Sequence, residues 1–407
     1  MKKVLIRAFL LFWIFFPAWN SNGDCEEIIL GMSADFSGPN RALGIEFYKG
    51  ASCFFEIINA AGGIHGRSII IKPYDDGYDP APAVNNTIRL VEEDDVFALF
   101  NYVGTPTTTR IIPLLKYYQN KNIRMFTPLT GARPVSESEY IYSLRASYDD
   151  EIRYMVKKLT DVGITRIAVL HQLDAYGRGG WQSVKSALES RGLSIVAEAT
   201  YERGASLSSS FYSQVNILKK HDPQAVICIA AYEPAAGFIR DSRNRGFNVP
   251  ILNLSFVNAQ KMFNILFLME KGSNIDYTSG LINSQVVPFY GFRDLEPVQD
   301  YIECLSSDFY RDHSEQAGTA EDISLKPSSV GFEGYLNARF ISMVLDKMEG
   351  DVQRDRISGI IKQLSPAESS PSYCDIFFQC DEMSGVYFIS TENKTITSIT
   401  DFSRLLH

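Results

Sequence analysis

Loops rich in glycine and hydroxyl side chains follow three short apolar runs early in this 407-residue chain, at residues 35–39, 101–107 and 127–132. Ligands of open parallel sheets bind beyond the carboxyl ends of the strands. Free backbone N–H groups at a helix start, with hydroxyls beside them, form a seat for a carboxylate or another anion. Plain capping is the alternative, because Ser37 or Thr107 can serve only its own helix.

Matching segments in the second half of the chain carry aromatic residues. They are residues 174–177, 231–234 and 254–256, with Tyr176 and Tyr232 as the tyrosines. A tyrosine ring packs against a small molecule while its hydroxyl forms a hydrogen bond, a combination typical of ligand clefts. The alternative is that each tyrosine only closes a surface between two lobes. We expect both to contact a ligand.

No catalytic or metal-binding pattern accompanies these loops. The five histidines show no metal-ligand spacing with one another or with the cysteines, and the sequence has neither a GxxxxGK[ST] phosphate loop nor a GxSxG turn. Residues 62–66 are glycine-rich but follow a helix and precede a strand, the reverse of the dinucleotide-binding order, so we interpret them as a turn. The sequence therefore predicts no metal and no cofactor.

Strand-length apolar runs alternate with helical periods along the chain. Residues 45–58 repeat apolar side chains at three- and four-residue steps and end at Gly62 and Gly63, a helix stop. The apolar runs are nearly continuous, as in strands covered on both faces. This alternation predicts an α/β fold with parallel, doubly wound sheets. The predicted strands are residues 28–32, 68–71, 96–100, 124–126, 166–170, 194–197, 225–231 and 250–254.

The strands are too many for one sheet, and the rhythm restarts after the polar stretch 145–150. We therefore predict two lobes joined by three crossings, near residues 145–150, 276–280 and 350. Lobe 1 then comprises residues 24–146 and 281–349. Lobe 2 comprises residues 147–280 and 350–407.

Composition excludes several classes of protein. The formal net charge is −9, 45% of the residues are hydrophobic and 21% are charged. The sequence therefore predicts a globular protein without nucleic-acid binding, and no segment after the first 20 residues is apolar enough to span a bilayer.

Residues 1–23 are predicted to be an export signal. Lys2, Lys3 and Arg7 precede a nine-residue apolar stretch, and the small residues Ser21 and Gly23 fit a cleavage after Gly23. The alternative is a signal anchor, but the stretch is shorter than the ~20 residues of a spanning helix. A lipid anchor on Cys25 is disfavoured because the charged Asp24 precedes it.

Export makes disulfides possible for the six cysteines. We predict a pair between Cys374 and Cys380, which flank a short loop. Cys228 lies within an apolar run and is predicted to be a buried free thiol. The pairing of Cys25, Cys53 and Cys304 stays open.

Motifs of both halves carry a family resemblance. Residues 31–39, 56–67 and 75–80, then 168–177 and 232–237, resemble in order the signatures of type I periplasmic binding proteins, and more narrowly the leucine/isoleucine/valine-binding branch that serves ABC importers. The resemblance covers residues 28–349. It implies two Rossmann-like lobes, a three-crossing hinge, and a cleft that closes on a small solute.

The resemblance also implies the site. In that family the ligand carboxylate is held by the loops after the third and fourth strands, and the second lobe supplies two aromatics and an acid that holds the ammonium of an amino acid. The acid is missing here, where Ser255 lies between Leu254 and Phe256. Glu233, Asp149 or Asp150 could substitute from nearby, so the ligand class stays open among amino acids, amides and small carboxylates. The candidate ligand-binding residues are Ser37, Tyr102, Gly104, Thr105, Leu129, Thr130, Gly131, Asp149, Tyr176, Tyr232, Glu233 and Ser255.

The sequence thus predicts a periplasmic, monomeric solute-binding protein that hands its ligand to ABC permease subunits. The alternative is the ligand-sensing subunit of a signalling receptor. No nucleophile, base and metal set supports an enzyme, so that interpretation would depend on fold analogy alone.

Overall fold

The structure is a computed structural model that describes residues 27–306, 326–348, 350–364, 372–378 and 385–406. Its strands are β1 Ile28–Ala34, β2 Ile69–Asp75, β3 Ala98–Phe100, β4 Met125–Phe126, β5 Ile141–Tyr142, β6 Ile167–Gln172, β7 Glu198–Tyr201, β8 Ala225–Ile229, β9 Ile251–Asn253, β10 Leu281–Gln285, β11 Tyr387–Glu392 and β12 Thr395–Ser398. Its helices are α1 Arg41–Ala60, α2 Pro80–Glu92, α3 Thr105–Tyr117, α4 Arg133–Ser136, α5 Tyr148–Asp161, α6 Ala175–Glu189, α7 Tyr212–Lys219, α8 Tyr232–Asn244, α9 Ala259–Glu270, α10 Glu296–Ser306, α11 Ser329–Asp346 and α12 Ile357–Leu364.

The first lobe is built on a five-stranded sheet in the order β2-β1-β3-β4-β5, with every neighbouring pair parallel. Strands β1, β3 and β4 are almost wholly buried, as expected for strands with helices on both faces. Parallel strands place their following loops at one edge, so the loops after β1, β3 and β4 gather at the side that faces the second lobe.

The second lobe is built on a seven-stranded sheet in the order β12-β11-β10-β9-β8-β6-β7. Strands β6 to β10 pair in parallel, while β11 and β12 are antiparallel additions at one edge. The two-lobed, doubly wound α/β prediction is confirmed. One strand is displaced from its predicted place at residues 194–197, because that segment only leads into β7.

The second crossing between the lobes was predicted too early. Leu281–Gln285 forms β10 and pairs with β9 of the second sheet, whereas Val286 and Val287 pack in the core of the first lobe. The chain therefore crosses after Gln285 and not at residues 276–280. The polar character of Asn283, Ser284 and Gln285 hides this buried strand from an apolar-run search.

The third crossing was also predicted too early, near Gly350. Helix α12 buries Ile357, Ile360 and Ile361 in the core of the first lobe, and Tyr373 packs there as well. Only β11 and β12 join the second sheet. The described segments 350–364 and 372–378 thus belong to the first lobe, because the apolar face of α12 packs there.

Cysteine pairing was only partly accessible from the sequence. Cys53 on α1 and Cys304 on α10 form a disulfide that closes a separation of 251 residues. Cys228 is a buried free thiol, as predicted. Cys374 is disulfide-bonded, but Cys380 lies outside the described residues, so the Cys374–Cys380 pair stays a prediction. Residues 1–23 and Cys25 also lie outside them.

None of the helices in the described ranges is long and apolar enough to cross a membrane. Within the same ranges, no group of three or more histidine, cysteine or acidic side chains could hold a metal ion.

Candidate functional site

The loops after β3 and β4 meet at the edge of the first lobe. Val103 and Leu129 form an isolated parallel bridge, and the Gly104 N–H donates to the Leu129 carbonyl at 3.3 Å. This pairing places the Thr105 and Thr130 hydroxyls 2.7 Å apart, both buried. The two predicted loops therefore form one polar site at the start of α3.

The Tyr78 ring packs beside this polar site, against Gly104. Tyr78 was not among the predicted site residues. Its φ of +63° lies in the left-handed region, which a bulky residue seldom adopts. A Cβ at Gly104, whose φ is +104°, would collide with the Tyr78 ring. Glycine at position 104 is thus required both by the backbone and by the tyrosine beside it.

Four aromatic rings fill the space between the lobes, and we call them the aromatic group. Tyr78 comes from lobe 1, while Tyr148, Tyr176 and Phe256 come from the start of α5, the start of α6 and the segment after β9. Ring centroids lie 6.2 Å apart for Tyr78 and Phe256, 4.8 Å for Tyr176 and Phe256, and 5.4 Å for Tyr148 and Tyr176. The two lobes therefore touch through aromatic side chains at the predicted cleft.

The hydroxyls of Tyr78, Tyr148 and Tyr176 are buried without a well-formed hydrogen bond among the described residues. That of Tyr148 lies beside Thr105 and Thr130 and that of Tyr78 beside Gln172, while that of Tyr176 has no such neighbour in the described part of the chain. Burial raises the pKa of Tyr148 to about 12, with Arg145 opposing the rise. Burial also raises the pKa of Tyr78 and of Tyr176 well above the usual value. All three hydroxyls consequently stay protonated at physiological pH and can donate hydrogen bonds.

A cavity of about 310 Å³ adjoins the aromatic group between α3, α4 and α6. This volume lies at the lower end of the range of small-molecule sites, roughly 300–1,000 Å³. Its walls include Thr105, Tyr148 and Tyr176 from the site, with Ala132 and Pro134 as apolar neighbours.

Asp149 lines this cavity, but its carboxylate is occupied. Arg133 donates to one oxygen from Nε at 2.9 Å and from Nη2 at 2.6 Å, and the Ser183 hydroxyl donates to the other oxygen. Asp150 caps α5 together with Ser147. Both acids therefore already have partners within the protein.

Ser255 is engaged in a buried polar group that we call the hinge cluster, comprising Arg145, Glu151, Ser255, Ser284 and Glu333. The Ser255 N–H and hydroxyl donate to Glu151 at 3.0 and 2.8 Å, and Arg145 donates to the Ser255 hydroxyl. Arg145 also lies 3.9 Å from Glu151 and 3.6 Å from Glu333. Ser255 thus bonds to Glu151 and Arg145 in the hinge cluster, whereas we predicted that it binds the ligand.

Tyr232 and Glu233 begin α8 and lie apart from the aromatic group. Tyr232 packs with Ala42 at the start of α1 in the other lobe. Burial raises its pKa to about 12, while a hydrogen bond with the Ala42 backbone lowers it. Glu233 accepts a hydrogen bond from the Leu207 N–H at 3.2 Å. Tyr232 therefore contacts the opposite lobe directly, and Glu233 serves a loop of its own lobe.

Ser37 and Tyr102 have local partners. The exposed Ser37 hydroxyl donates to Asp75, and the buried Tyr102 hydroxyl lies 3.0 Å from Thr87 Oγ1. Gly131 accepts a hydrogen bond from the Tyr148 N–H at 2.8 Å, and a Cβ there would lie 2.7 Å from that nitrogen. Of the predicted residues, the structure brings Gly104, Thr105, Leu129, Thr130, Gly131, Asp149 and Tyr176 together, and it leaves Ser37, Tyr102, Tyr232, Glu233 and Ser255 with other neighbours.

Sequence reasoning missed Tyr78, Tyr148 and the ring of Phe256 as site residues. Tyr148 was visible only as part of a polar crossing, and Tyr78 only as part of a motif. The signal that could have found Tyr78 is its place three residues after Asp75, the last residue of β2, at the same edge as the other loops.

Comparison with known proteins gives a consistent result. A family model described as periplasmic binding protein matches residues 27–262. An amino acid binding protein of Pseudomonas aeruginosa is 26% identical over 255 residues, which cover 62% of this chain and 67% of that protein. A Leu/Ile/Val-binding protein of Citrobacter freundii is 24% identical over 343 residues, covering 81% and 88%.

One solved structure is similar over almost the whole chain. It is a possible leucine/isoleucine/valine-binding protein from Rhodopirellula baltica, with a TM-score of 0.78 and 27% identity, covering 94% of this chain and 98% of that one. The similarity extends over both lobes.

Proposed function

Because this chain belongs to the periplasmic binding protein family, we propose that it captures a small organic solute in the cleft between its lobes and delivers it to the permease of an ABC importer. The family consists of solute-binding proteins, so the chain is a binding protein and not an enzyme. Export to the periplasm and a monomeric state are part of the proposal.

The observation that carries the proposal is the convergence of both lobes on one polar and aromatic point. Thr105 and Thr130 lie on lobe 1, Tyr176 and Phe256 lie on lobe 2, and the adjoining cavity has the size of a small-molecule site. A solute bound only to Thr105 and Thr130 would gain further contacts with Tyr176 and Phe256 when lobe 2 closes over it.

Those extra contacts supply the driving force for closure. A ligand shifts a two-state equilibrium only by its difference in affinity for the two states, and here the difference comes from lobe 2. The crossings at residues 143–147 and after Gln285 are short segments between rigid sheets, which suits a hinge motion.

A thermal-shift screen with amino acids, amides and small carboxylates tests this proposal. A ligand present at ~100 times its dissociation constant stabilises the protein by about 2.7 kcal/mol. X-ray scattering with the best compound should then show a more compact particle. No stabilisation by any of the three classes would contradict solute capture.

Delivery to a permease separates the proposal from its alternative, a ligand-sensing subunit of a signalling receptor. A ligand-loaded binding protein should stimulate ATP hydrolysis by its permease complex in proteoliposomes, whereas the ligand-free protein should stimulate it less. Equal hydrolysis with and without ligand would favour the sensory role.

A further inference from the structure

The cleft presents hydrogen-bond donors that the protein itself does not use. Tyr78, Tyr148 and Tyr176 are 2%, 3% and 1% exposed. The Tyr176 hydroxyl has no hydrogen-bond partner among the described residues, whereas the Tyr148 hydroxyl lies beside those of Thr105 and Thr130 and the Tyr78 hydroxyl lies beside Gln172, neither in a well-formed bond. Buried hydroxyls in folded proteins are almost always hydrogen-bonded. The unpartnered Tyr176 hydroxyl, with the weakly engaged hydroxyls of Tyr78 and Tyr148 in the same aromatic group, therefore marks a place for a ligand group that accepts several hydrogen bonds.

Helix α3 adds the backbone N–H groups of Thr105 and Thr107, since Pro106 has none and the Gly104 N–H donates to Leu129. Its N-cap is Gly104, and no side chain caps its first turn. The beginning of a helix carries a partial positive charge, which favours an anion. The Thr105 and Thr130 hydroxyls bond to each other, which leaves one hydroxyl hydrogen available to a ligand at the same place.

The acidic side chains near the cleft already accept hydrogen bonds from the protein. Among the described residues, Asp149 lines the cavity. Glu151 lies close enough to Tyr148 and Tyr176, and Asp174 close enough to Tyr78, for electrostatic interaction with their hydroxyls. Each accepts hydrogen bonds from the protein on both of its oxygens. The donors are Arg133 and Ser183 for Asp149, Ser255 and Ser284 for Glu151, and Gly177 and Gln172 for Asp174.

The rest of the cleft is suited to an apolar body. The Phe256 ring occupies the segment after β9 and packs 4.8 Å from Tyr176. The cavity beyond has Ala132, Pro134 and Ala175 in its walls. A buried ammonium would meet these apolar walls and would share each nearby carboxylate with donors of the protein, so its lost hydration would be replaced only in part.

We infer that the cleft binds a small monocarboxylate with an aliphatic or aromatic body and without an amino group. The carboxylate accepts hydrogen bonds from Tyr78, Tyr148 and Tyr176 and from the start of α3. This inference rests on the proposed function and narrows the solute class within it.

Calorimetric titration with matched pairs of compounds tests the inference. The pairs are 4-methylpentanoate with L-leucine and 3-phenylpropanoate with L-phenylalanine, which differ only in the α-amino group. We expect at least one amine-free acid to bind at least ~10-fold more tightly than its amino acid. A ten-fold difference in affinity corresponds to about 1.4 kcal/mol, which is less than the cost of burying an ammonium without a full set of partners. Equal or tighter binding of both amino acids would overturn the inference and leave solute capture intact.

If no member of either pair binds, the inference is also overturned. The wider thermal screen then decides the proposed function, because stabilisation by an amide or another solute would preserve it and no stabilisation at all would remove it.

Hydroxyl-only variants test the assigned donors. Y78F and Y176F should each weaken binding of the amine-free acid by roughly ten- to 150-fold, the range for a lost hydrogen bond to a charged group. The matched control is Y277F, because the Tyr277 hydroxyl bonds to Asn244 in lobe 2, at the amino-terminal side of β10. Wild-type affinity in both Y78F and Y176F would overturn the assignment.

Discussion

Replacing Arg145 with methionine is expected to destabilise the protein by about 3–5 kcal/mol at pH 8, the usual cost of breaking a buried ion pair. Arg145 lies in the first crossing, Glu151 on α5 and Glu333 on α11, and their side chains are 1%, 0% and 5% exposed. The substitution leaves two buried carboxylates without a counterion at the point where the lobes join.

The magnitude follows from the geometry of the hinge cluster. Arg145 lies 3.9 Å from Glu151 and 3.6 Å from Glu333. At such separations each attraction amounts to about 4 kcal/mol for an effective dielectric constant of about 20. Desolvation of the arginine offsets part of the sum, because burying a guanidinium costs several kcal/mol.

The effect should depend on pH in a defined direction. Burial raises the pKa of Glu151 and of Glu333 above the ordinary 4.5, and Arg145 opposes the rise. Without the arginine both pKa values rise further, so the folded variant binds more protons than its unfolded chain above pH 4.5. Stability of the variant therefore falls as the pH rises, and its deficit is smaller at pH 5 than at pH 8.

Urea denaturation at pH 5 and pH 8 measures both quantities. The matched control is R153M on the same helix α5, because Arg153 pairs with Asp150 on the surface and is 66% exposed. Exposed pairs contribute about 0–1 kcal/mol, so the control should change little. A loss below about 1 kcal/mol in R145M, or a loss that grows as the pH falls, would refute the electrostatic account of the hinge.

Two further predictions concern the framework of the site. G104A should destabilise the protein by about 1–3 kcal/mol more than G204A, since both glycines have a positive φ but only Gly104 faces Tyr78; equal thermal denaturation of the two variants would contradict the clash. Replacing Cys53 and Cys304 with serine should cost about 2–5 kcal/mol in urea denaturation under oxidising conditions, because the disulfide closes a long loop; an unchanged midpoint would contradict that estimate.

The sheet of each lobe was predictable because parallel strands buried on both faces have nearly continuous apolar sequences. β1, β6 and β8 lie almost where those runs place them. β10 escaped because Asn283, Ser284 and Gln285 are polar although buried. Its place follows from pairing with β9, which is a long-range property that no local pattern carries.

The candidate site was predictable only where a loop directly follows a strand. Thr105, Thr130 and Tyr176 satisfy that rule and lie together. Tyr78 and Phe256 also follow strands, β2 and β9, but their contact depends on a left-handed backbone at Tyr78 and on packing across the cleft, which spacing does not show. The partners of Ser255, Arg145 and Glu151, could not be predicted because they are more than 100 residues away.

The most direct test of solute capture between the lobes is calorimetric titration of Y176A and Y232A with the compound that the thermal screen selects. Tyr176 lines the cavity. Tyr232 lies outside it and bonds to the Ala42 backbone of the opposite lobe, so Y232A removes a contact that holds the lobes together and not one with the ligand. Circular dichroism should first establish that both variants are folded. Binding at least ten-fold weaker than wild type in both, or about 1.4 kcal/mol, is the expected result. Wild-type affinity in both folded variants would contradict a closing cleft at this place.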